Sequence, residues 1–400
     1  MGGFSRAERL GYQPALDGVR GVAISLVVLY HYPWSVGNPA ALAANRVHGG
    51  FLGVDAFFVL SGFLITTLLL QEHKTFGRVS LRRFYARRAL RLLPALGVLL
   101  LIALYLHFAR ATRSSDRPTT TGLLGVLFYV ANWVNIYRPK ALGITADTWS
   151  LAIEEQFYVV WPIVLILLLR RRLHLRTIAA LTAAGIAASA GWRAYYWHVH
   201  IPKHSANLFE AYAHLLQYVA AWNRMYFGSD TRADALLAGC LTAILLVWLL
   251  PRSGPRARMG LGTTSVIALA ISTAIITHAT VFESRWLPEW GLLAFAASIA
   301  VLIAGLVAVP HGSLARLFAL PPLAWLGRRS YAIYLFHQLV YMEAKRTSVR
   351  QLSPTVRFAF QMIAIVVAAE LSYRLVEAPM LRRKRHFEPR ASGATSTGPG

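Results

Sequence analysis

The chain alternates between long apolar segments and short polar, mostly basic segments over nearly all of its 400 residues. A helix that crosses a membrane needs about 20 predominantly apolar residues. The segments of suitable length lie at about 18–35, 50–70, 92–109, 149–169, 177–197, 233–250, 263–281, 291–309, 322–343 and 357–377. The pattern predicts an all-α fold, a polytopic transmembrane helical bundle of about ten spans.

One further apolar stretch, 122–137, fits this pattern poorly. Counting it as a crossing would place Arg170, Arg171 and Arg172 outside the cell, against the preference of basic residues for the cytoplasmic side. We therefore expect a re-entrant or interfacial segment here, with an eleven-span arrangement as the alternative. The longest external loop is then predicted at about 198–232.

Basic residues far outnumber acidic ones, with 41 Lys and Arg against 17 Asp and Glu, for a net charge of +24. Such a charge also occurs in nucleic-acid-binding proteins. Here, however, the basic residues cluster in the short connections between apolar segments, as the positive-inside rule requires. They predict that both termini are cytoplasmic, and nucleic acid is not an expected partner. The clusters lie at 6–20, 74–91, 170–176, 252–258 and 382–390.

The composition, 56% hydrophobic and 14% charged, predicts one membrane-embedded domain at 18–380. A cytoplasmic segment at 1–17 precedes it, and a basic, then disordered, cytoplasmic tail at 381–400 follows. An Ala-x-Ala pattern at 41–43 leaves a cleaved signal peptide as a less favoured alternative. The single cysteine, Cys240, excludes an intrachain disulfide and a Cys-based zinc site, and no metal is expected.

His31 lies in the first apolar segment, eleven residues after Arg20. Eleven residues make about three helical turns, so the two side chains share one face and lie roughly 16 Å apart along the axis. An ionisable group inside an apolar span is costly and by default indicates a functional site. The alternative is a histidine near the far interface that only bonds to backbone.

Arg88 and Arg91 belong to a row of arginines that runs into the third apolar segment. Because they are three residues apart, they are neighbours on a helix face. Guanidinium pairs of this kind bind phosphates through charge-assisted hydrogen bonds. A cytosolic polyphosphate cofactor and ordinary positive-inside anchoring both fit this row.

Two adjacent carboxylates, Glu154 and Glu155, stand at the head of the segment 149–169. Neighbouring residues on a helix point about 100° apart, so only one of the two can face a given site. Ser150 lies one turn before Glu154, on the same face. An interfacial capping arrangement is the alternative interpretation.

Further acidic groups occur inside or at the ends of other spans. Asp55 lies in the second span and needs a cation or a hydrogen-bond donor as partner. Asp230, Arg232 and Asp234 open the span 233–250. We interpret this group as an internal ion pair rather than as catalytic machinery.

Taken in order from about Leu16 to Pro379, these motifs resemble the acyltransferase-3 family of integral-membrane O-acyltransferases. That family includes enzymes that acylate bacterial surface polysaccharides, peptidoglycan and macrolide antibiotics. The matching elements are an Arg-x10-His pair at Arg20 and His31, a Phe-Phe-x-x-Ser-Gly-Phe-Leu-Ile run at 57–65, Arg-x-x-Arg at Arg88 and Arg91, Trp-Ser-Leu-x-x-Glu-x-x-Phe-Tyr at 149–158, and closing elements at 327–337 and 377–379.

The resemblance implies an enzyme that moves an acyl group, acetyl by default, from cytoplasmic acyl-CoA to an acceptor hydroxyl. It implies His31 as general base, Glu154 as the carboxylate that orients it, and Arg88 and Arg91, with Arg20, as the phosphate site. Direct transfer or a transient acyl-histidine is favoured over an acyl-serine. The remaining candidate residues are structural or acceptor-side groups: Asp55, Ser61, Ser150, Arg232, Asp234, Tyr331 and His337.

The acceptor is the open part of this hypothesis. The resemblance favours a carbohydrate-containing acceptor, such as a glycan or a lipid-linked glycan, with a glycosylated natural product of the macrolide type as the alternative. A multi-pass location in the cell inner (plasma) membrane, with membrane lipid as a partner, goes with it. A secondary transporter or flippase would also have about ten spans and buried ionisable groups.

Overall fold

The computed structural model describes the chain as a set of packed helices, and within its described ranges no strand occurs. The described residues are 12–36, 48–108, 117–200, 208–279 and 286–383. The first eleven residues, the Ala-x-Ala pattern at 41–43 and the tail from residue 384 onward lie outside them. The all-α fold class is confirmed.

The long helices run through the whole described chain. They are α1 (Pro14–Val36), α2 (Gly53–Phe76), α3 (Leu81–Phe108), α6 (Trp149–Arg170), α7 (Leu175–His200), α8 (Leu208–Phe227), α9 (Ser229–Leu249), α10 (Pro255–His278), α11 (Leu292–Ala308), α13 (Pro321–Arg346) and α14 (Pro354–Ser372). The short helices are α4 (Thr120–Leu127), α5 (Ala131–Tyr137), α12 (Ser313–Phe318) and α15 (Ala378–Arg383). Short 3-10 segments join several of them, at His48–Leu52, Pro139–Ala141, Gly143–Thr148, Leu250–Arg252 and Ser348–Gln351, and π-helical turns occur at Leu287–Gly291 and Tyr373–Glu377.

Seven helical segments in the described ranges are long and apolar enough to cross a membrane. They are His48–Phe76, Leu81–Phe108, Gly143–Arg170, Leu215–Arg252, Pro255–His278, Leu287–Ala308 and Pro354–Arg382. The other three predicted spans coincide with α1, α7 and α13, which have 23, 26 and 26 residues. These three are long enough to cross but carry more polar or charged side chains, several of which face the interior of the bundle. The chain is therefore a multi-pass helical membrane protein.

The stretch 122–137 forms α4 and α5, of eight and seven residues. Neither helix is long enough to cross a membrane, in agreement with the interpretation as an interfacial or re-entrant segment.

The predicted external loop at 198–232 is wrong, because it contains the 20-residue helix α8. Tyr218, Trp222 and Tyr226 recur at the four-residue spacing of one helix face. The rings of Tyr218 and Trp222 pack on Trp197 of α7, with centroids 5.4 and 5.8 Å away. Polar residues such as Gln217, Asn223 and Arg224 interrupt the apolar positions of this segment, so its apolar content alone does not reveal a long helix.

Two helix pairs approach each other closely through glycine. A Cβ on Gly62 of α2 would overlap the carbonyl oxygen of Leu236 of α9, and a Cβ on Gly239 would overlap that of Val59. Small residues allow membrane helices to approach in this way, because apolar side chains gain little by leaving lipid for a protein interior. Helix α9 also packs against α7, which places it near the centre of the bundle.

Helices α1 and α13 form the second close pair. A Cβ on Gly327 would overlap the carbonyl oxygen of Asp17. Further along both helices His31 contacts His337, so the two helices run in the same direction. This pairing carries side chains from both ends of the sequence into one site.

We expect Gly239→Ala to destabilise the bundle, because its methyl group would meet the backbone of α2 rather than a movable side chain. Overpacking of this kind typically costs about 1–3 kcal/mol. Gly191→Ala is the matched control, since a Cβ there has no atom within 4 Å and alanine favours the helix. Thermal denaturation of the purified protein in detergent measures both variants. Equal melting temperatures for the two would contradict the packing argument.

Candidate functional site

A cavity of about 120 Å³ lies between α1, α2, α3, α6 and α13. We call it the arginine pocket, because Arg20, Arg88 and Arg91 line it. The apolar part of its wall includes Phe57 and Leu64 of α2. The pocket therefore combines fixed positive charge with an apolar surface.

Seven of the residues singled out in the sequence meet at this pocket. They are Arg20, Ser61, Arg88, Arg91, Ser150, Glu154 and Tyr331. They come from five helices and from separate sequence motifs. The structure therefore brings side chains of these separate motifs into one cavity. The roles of these residues in binding and catalysis stay predictions.

The two adjacent carboxylates have different partners, as their 100° separation on the helix requires. The Ser61 hydroxyl donates a hydrogen bond of 2.7 Å to Oε1 of Glu154. Nε of Arg88 donates to Oε1 of Glu155 at 3.1 Å, and the Arg88 guanidinium lies over the ring of Tyr158. Glu154 thus faces the pocket, whereas Glu155 holds Arg88 in place.

The other two arginines are less strongly compensated. Arg20 lies 3.5 Å from Asp17, three residues earlier on the same helix. Arg91 has no ion pair within the residues that the structure describes. An anion entering the pocket would therefore meet guanidinium groups with unused hydrogen-bonding capacity.

A second group of ionisable side chains lies where α1, α13 and the 3-10 turn before α6 meet. We call it the histidine cluster; it consists of His31, Asp147 and His337. Nε2 of His337 lies 3.2 Å from Oδ2 of Asp147, and Nε2 of His31 lies 3.9 Å from Oδ1. The two imidazoles contact each other at 3.3 Å, from His337 Nε2 to His31 Nδ1. One nitrogen or oxygen atom from each residue lies within 4.8 Å of the others, close enough to share a proton or one cation.

The structure therefore gives His31 a different carboxylate neighbour from the one that the resemblance implies. Asp147 lies beside His31, whereas Glu154 is bonded to Ser61 in the arginine pocket. Sequence reasoning missed Asp147, although it stands two residues before the Trp149–Tyr158 motif. An acidic residue directly ahead of a predicted span was the available signal.

Tyr334 of α13 connects the histidine cluster to the arginine pocket. Its hydroxyl donates to the backbone carbonyl of Asp147 at 2.7 Å and lies 2.7 Å from the hydroxyl of Ser150. Tyr334 lines the arginine pocket and also a small cavity beside Asp147. The two groups are therefore neighbours separated by one side chain.

Asp55, Arg232 and Asp234 lie apart from both groups, in a buried charge network. Nη2 of Arg232 donates to Oδ1 of Asp55 at 2.6 Å, with both side chains 1% exposed. Asp234 accepts from Nη1 of Arg193 at 2.6 Å. Arg193 on α7 also donates to the carbonyl oxygen of Pro288, which ties α7 and α9 to the π-helical turn before α11. Arg193 was not singled out in the sequence, where it looks like one more basic residue near the end of a span.

Asp55→Asn should destabilise the protein strongly, because it leaves the Arg232 charge buried without its partner. Breaking a buried ion pair in this way costs about 3–5 kcal/mol. Asp230→Asn is the control, since its pair with Arg224 is partly exposed and such pairs contribute about 0–1 kcal/mol. Yield of monodisperse protein and its melting temperature compare the two. A larger loss with Asp230→Asn would contradict a structural role for the Asp55 pair.

Fold and site together define a polytopic membrane protein with an internal, positively charged pocket next to a pair of histidines. A family described as "Acyltransferase domain" matches residues 13–373, nearly the whole described chain. The chain therefore belongs to this family of acyltransferase domains.

Two of the proteins with similar sequences are named as O-acetyltransferases OatA. The chain is 31% identical over 393 residues to the peptidoglycan O-acetyltransferase OatA of Listeria monocytogenes. The aligned region covers 94% of this chain and 56% of that protein. It is 30% identical over 406 residues to the O-acetyltransferase OatA of Staphylococcus aureus, covering 96% and 60%. The chain thus spans less than two thirds of the length of these relatives. No solved structure matches it.

Proposed function

We propose that this protein is a membrane O-acyltransferase that moves an acyl group, acetyl by default, from acyl-CoA to a hydroxyl of a carbohydrate-containing acceptor. The observation that carries the proposal is the arginine pocket. Three arginines from two helices converge on one cavity, and the same helix that carries Arg20 also carries His31. Membership of an acyltransferase family supports acyl transfer as the reaction at this site.

The arginine pocket suits the phosphates of coenzyme A. A guanidinium presents several donors in a plane that matches phosphate oxygens, and it is always charged. The positive-inside rule puts the arginine row of α3 at the cytoplasmic face, where acyl-CoA is found. Arg20 and His31 lie roughly 16 Å apart along α1, a distance that a pantetheine arm can cover. The thioester would then arrive near the histidine cluster.

His31 supplies the base for the transfer. Nε2 of His31 takes the proton of the acceptor hydroxyl as its oxygen attacks the thioester carbonyl carbon. The tetrahedral intermediate then expels the coenzyme A thiolate, which receives the proton from the His31 imidazolium and leaves as the thiol. The products are the O-acyl ester and free coenzyme A. Base assistance of this kind is typically worth about 10²–10⁴-fold in rate.

The relatives favour a glycan as the acceptor. One of them is named for acetylation of peptidoglycan, a carbohydrate polymer. A sugar hydroxyl on a cell-wall glycan or its lipid-linked precursor is therefore our first choice, ahead of a macrolide-type natural product. Such an acceptor places the protein in the plasma membrane. Acyltransferase family membership also favours this enzyme over a transporter or flippase.

Substitution of Arg91 or Arg88 by Ala should weaken acetyl-CoA binding, because each removes charge-assisted hydrogen bonds to phosphate. A loss of about 1.5–3 kcal/mol corresponds to a roughly tenfold to hundredfold higher Kd. Arg83→Ala is the control, since Arg83 lies exposed on the same helix and does not line the pocket. Calorimetric titration in detergent gives the three constants. An unchanged Kd of acetyl-CoA in both pocket variants would contradict the phosphate site and favour positive-inside anchoring as the role of these arginines.

His31→Ala should reduce acyl transfer by about 10²–10⁴-fold without changing the Kd of acetyl-CoA, because the base is lost and the phosphate site is not. Transfer of radiolabelled acetyl to a cell-wall glycan fraction in proteoliposomes measures the rate. His174→Ala, an exposed histidine between α6 and α7, serves as the matched control. Turnover like that of the unmodified protein in His31→Ala would refute the base assignment.

A further inference from the structure

The histidine cluster contains more than the base that the proposed function uses. We propose that Asp147 and His337 form a positioning pair for His31, in which Asp147, and not Glu154, stabilises the imidazolium that forms on His31. This inference rests on the proposed function and names two further residues that the transfer needs. Its support comes from the hydrogen bonds that fix each ring.

Backbone carbonyls determine which nitrogen of each ring carries hydrogen. Nδ1 of His31 lies 2.9 Å from the carbonyl oxygen of Val27, and Nδ1 of His337 lies 2.7 Å from that of Tyr334. A carbonyl oxygen only accepts hydrogen bonds, so both Nδ1 atoms must donate. In the neutral form of each ring, Nε2 is therefore the basic nitrogen.

His337 is the nearer of the two imidazoles to Asp147. Its Nε2 lies 3.2 Å from Oδ2, and its side chain is fully buried, with an exposure of 0%. The same nitrogen lies 3.3 Å from Nδ1 of His31. The His337 ring therefore packs against both the carboxylate and the base and holds them side by side.

His31 differs from His337 in its distance from the carboxylate. Its Nε2 lies 3.9 Å from Oδ1 of Asp147, which is too far for a hydrogen bond. The nitrogen is therefore free to accept the hydroxyl proton of the acceptor. Once His31 carries that proton, its new N–H faces Oδ1, the carboxylate oxygen that His337 does not use.

The surroundings leave Asp147 as the negative charge that serves both rings. The titratable groups that face the cluster from the neighbouring helices are phenols, which are neutral near pH 7: Tyr30, Tyr226, Tyr334 and Tyr341. Tyr30 meets the His31 ring edge-on at 5.1 Å, and Tyr341 meets the His337 ring edge-on at 6.0 Å. These contacts hold both imidazoles in their orientation.

Glu154 lies at a different place from Asp147. It lies in α6, seven residues after Asp147, which belongs to the 3-10 turn before that helix. Its carboxylate accepts from Ser61 inside the arginine pocket. The two carboxylates therefore belong to different groups, Glu154 to the arginine pocket and Asp147 to the histidine cluster.

Kinetics of the full-length protein in nanodiscs test the assignment. Asp147→Asn should lower kcat by about a hundredfold with the Kd of acetyl-CoA unchanged, and Asp147→Glu should restore part of the loss. Glu154→Gln is the matched comparison and should change the Kd of acetyl-CoA more than Asp147→Asn does. An unchanged kcat in Asp147→Asn, or a loss of acetyl-CoA affinity equal to its loss of kcat, would overturn the proposal. Absence of any transfer by the unmodified protein would instead reject the proposed function.

A measurement without turnover separates these outcomes further. In nitrogen NMR of protein labelled in histidine, the His31 ring signals can be assigned by their loss in His31→Ala. They should shift in Asp147→Asn or, where this variant does not fold, in Asp147→Glu, and they should stay in place in Glu154→Gln. Signals that shift in Glu154→Gln but not in the Asp147 variant would overturn the proposal. Stoichiometric bound zinc that is lost in His337→Gln would do the same, because the cluster would then hold a metal ion and not a free base.

Discussion

The close contact between α1 and α13 is the constraint on which the rest of this structure depends. Glycine at Gly327 lets the two backbones meet, and the helices then run side by side in the same direction. The contact joins residues 306 positions apart in the sequence, His31 and His337. It also forms one wall of the arginine pocket, through Arg20 and Tyr331. Without this pairing, neither group of polar side chains would be complete.

Polar side chains inside a membrane raise the free energy of the folded protein unless they have partners. The bundle contains one fully paired network and two groups whose pairing is incomplete. In the network around Asp55 and Arg232, each charge meets an opposite charge and the pairs connect α2, α7 and α9. In the arginine pocket and the histidine cluster, the pairing is incomplete. Arg91 has no ion pair in the described chain, and Nε2 of His31 lacks a hydrogen bond to Asp147. Unused donors and acceptors are what a substrate site requires.

Tyr334 makes the two incomplete groups into one site. Its hydroxyl contacts Ser150 in the arginine pocket and the backbone of Asp147, while its own carbonyl oxygen orients His337. A shift of the helices that line the arginine pocket would therefore change the position of the histidine cluster. This arrangement gives a physical basis for coupling between the proposed acyl-CoA site and the proposed base.

The sequence by itself determined the fold class, the positions of most long helices and the residues that share a helix face, because apolar periodicity and residue spacing are local properties. It also identified Arg20, Arg88, Arg91 and Glu154 before the pocket that they line was known. It missed the helix α8, the role of Arg193 and the carboxylate next to His31. These depend on which helix faces pack together, and residues on different helices, such as His31 and Asp147, have no sequence spacing that reveals their contact. Only the tertiary structure decided that Asp147, rather than Glu154, lies beside His31.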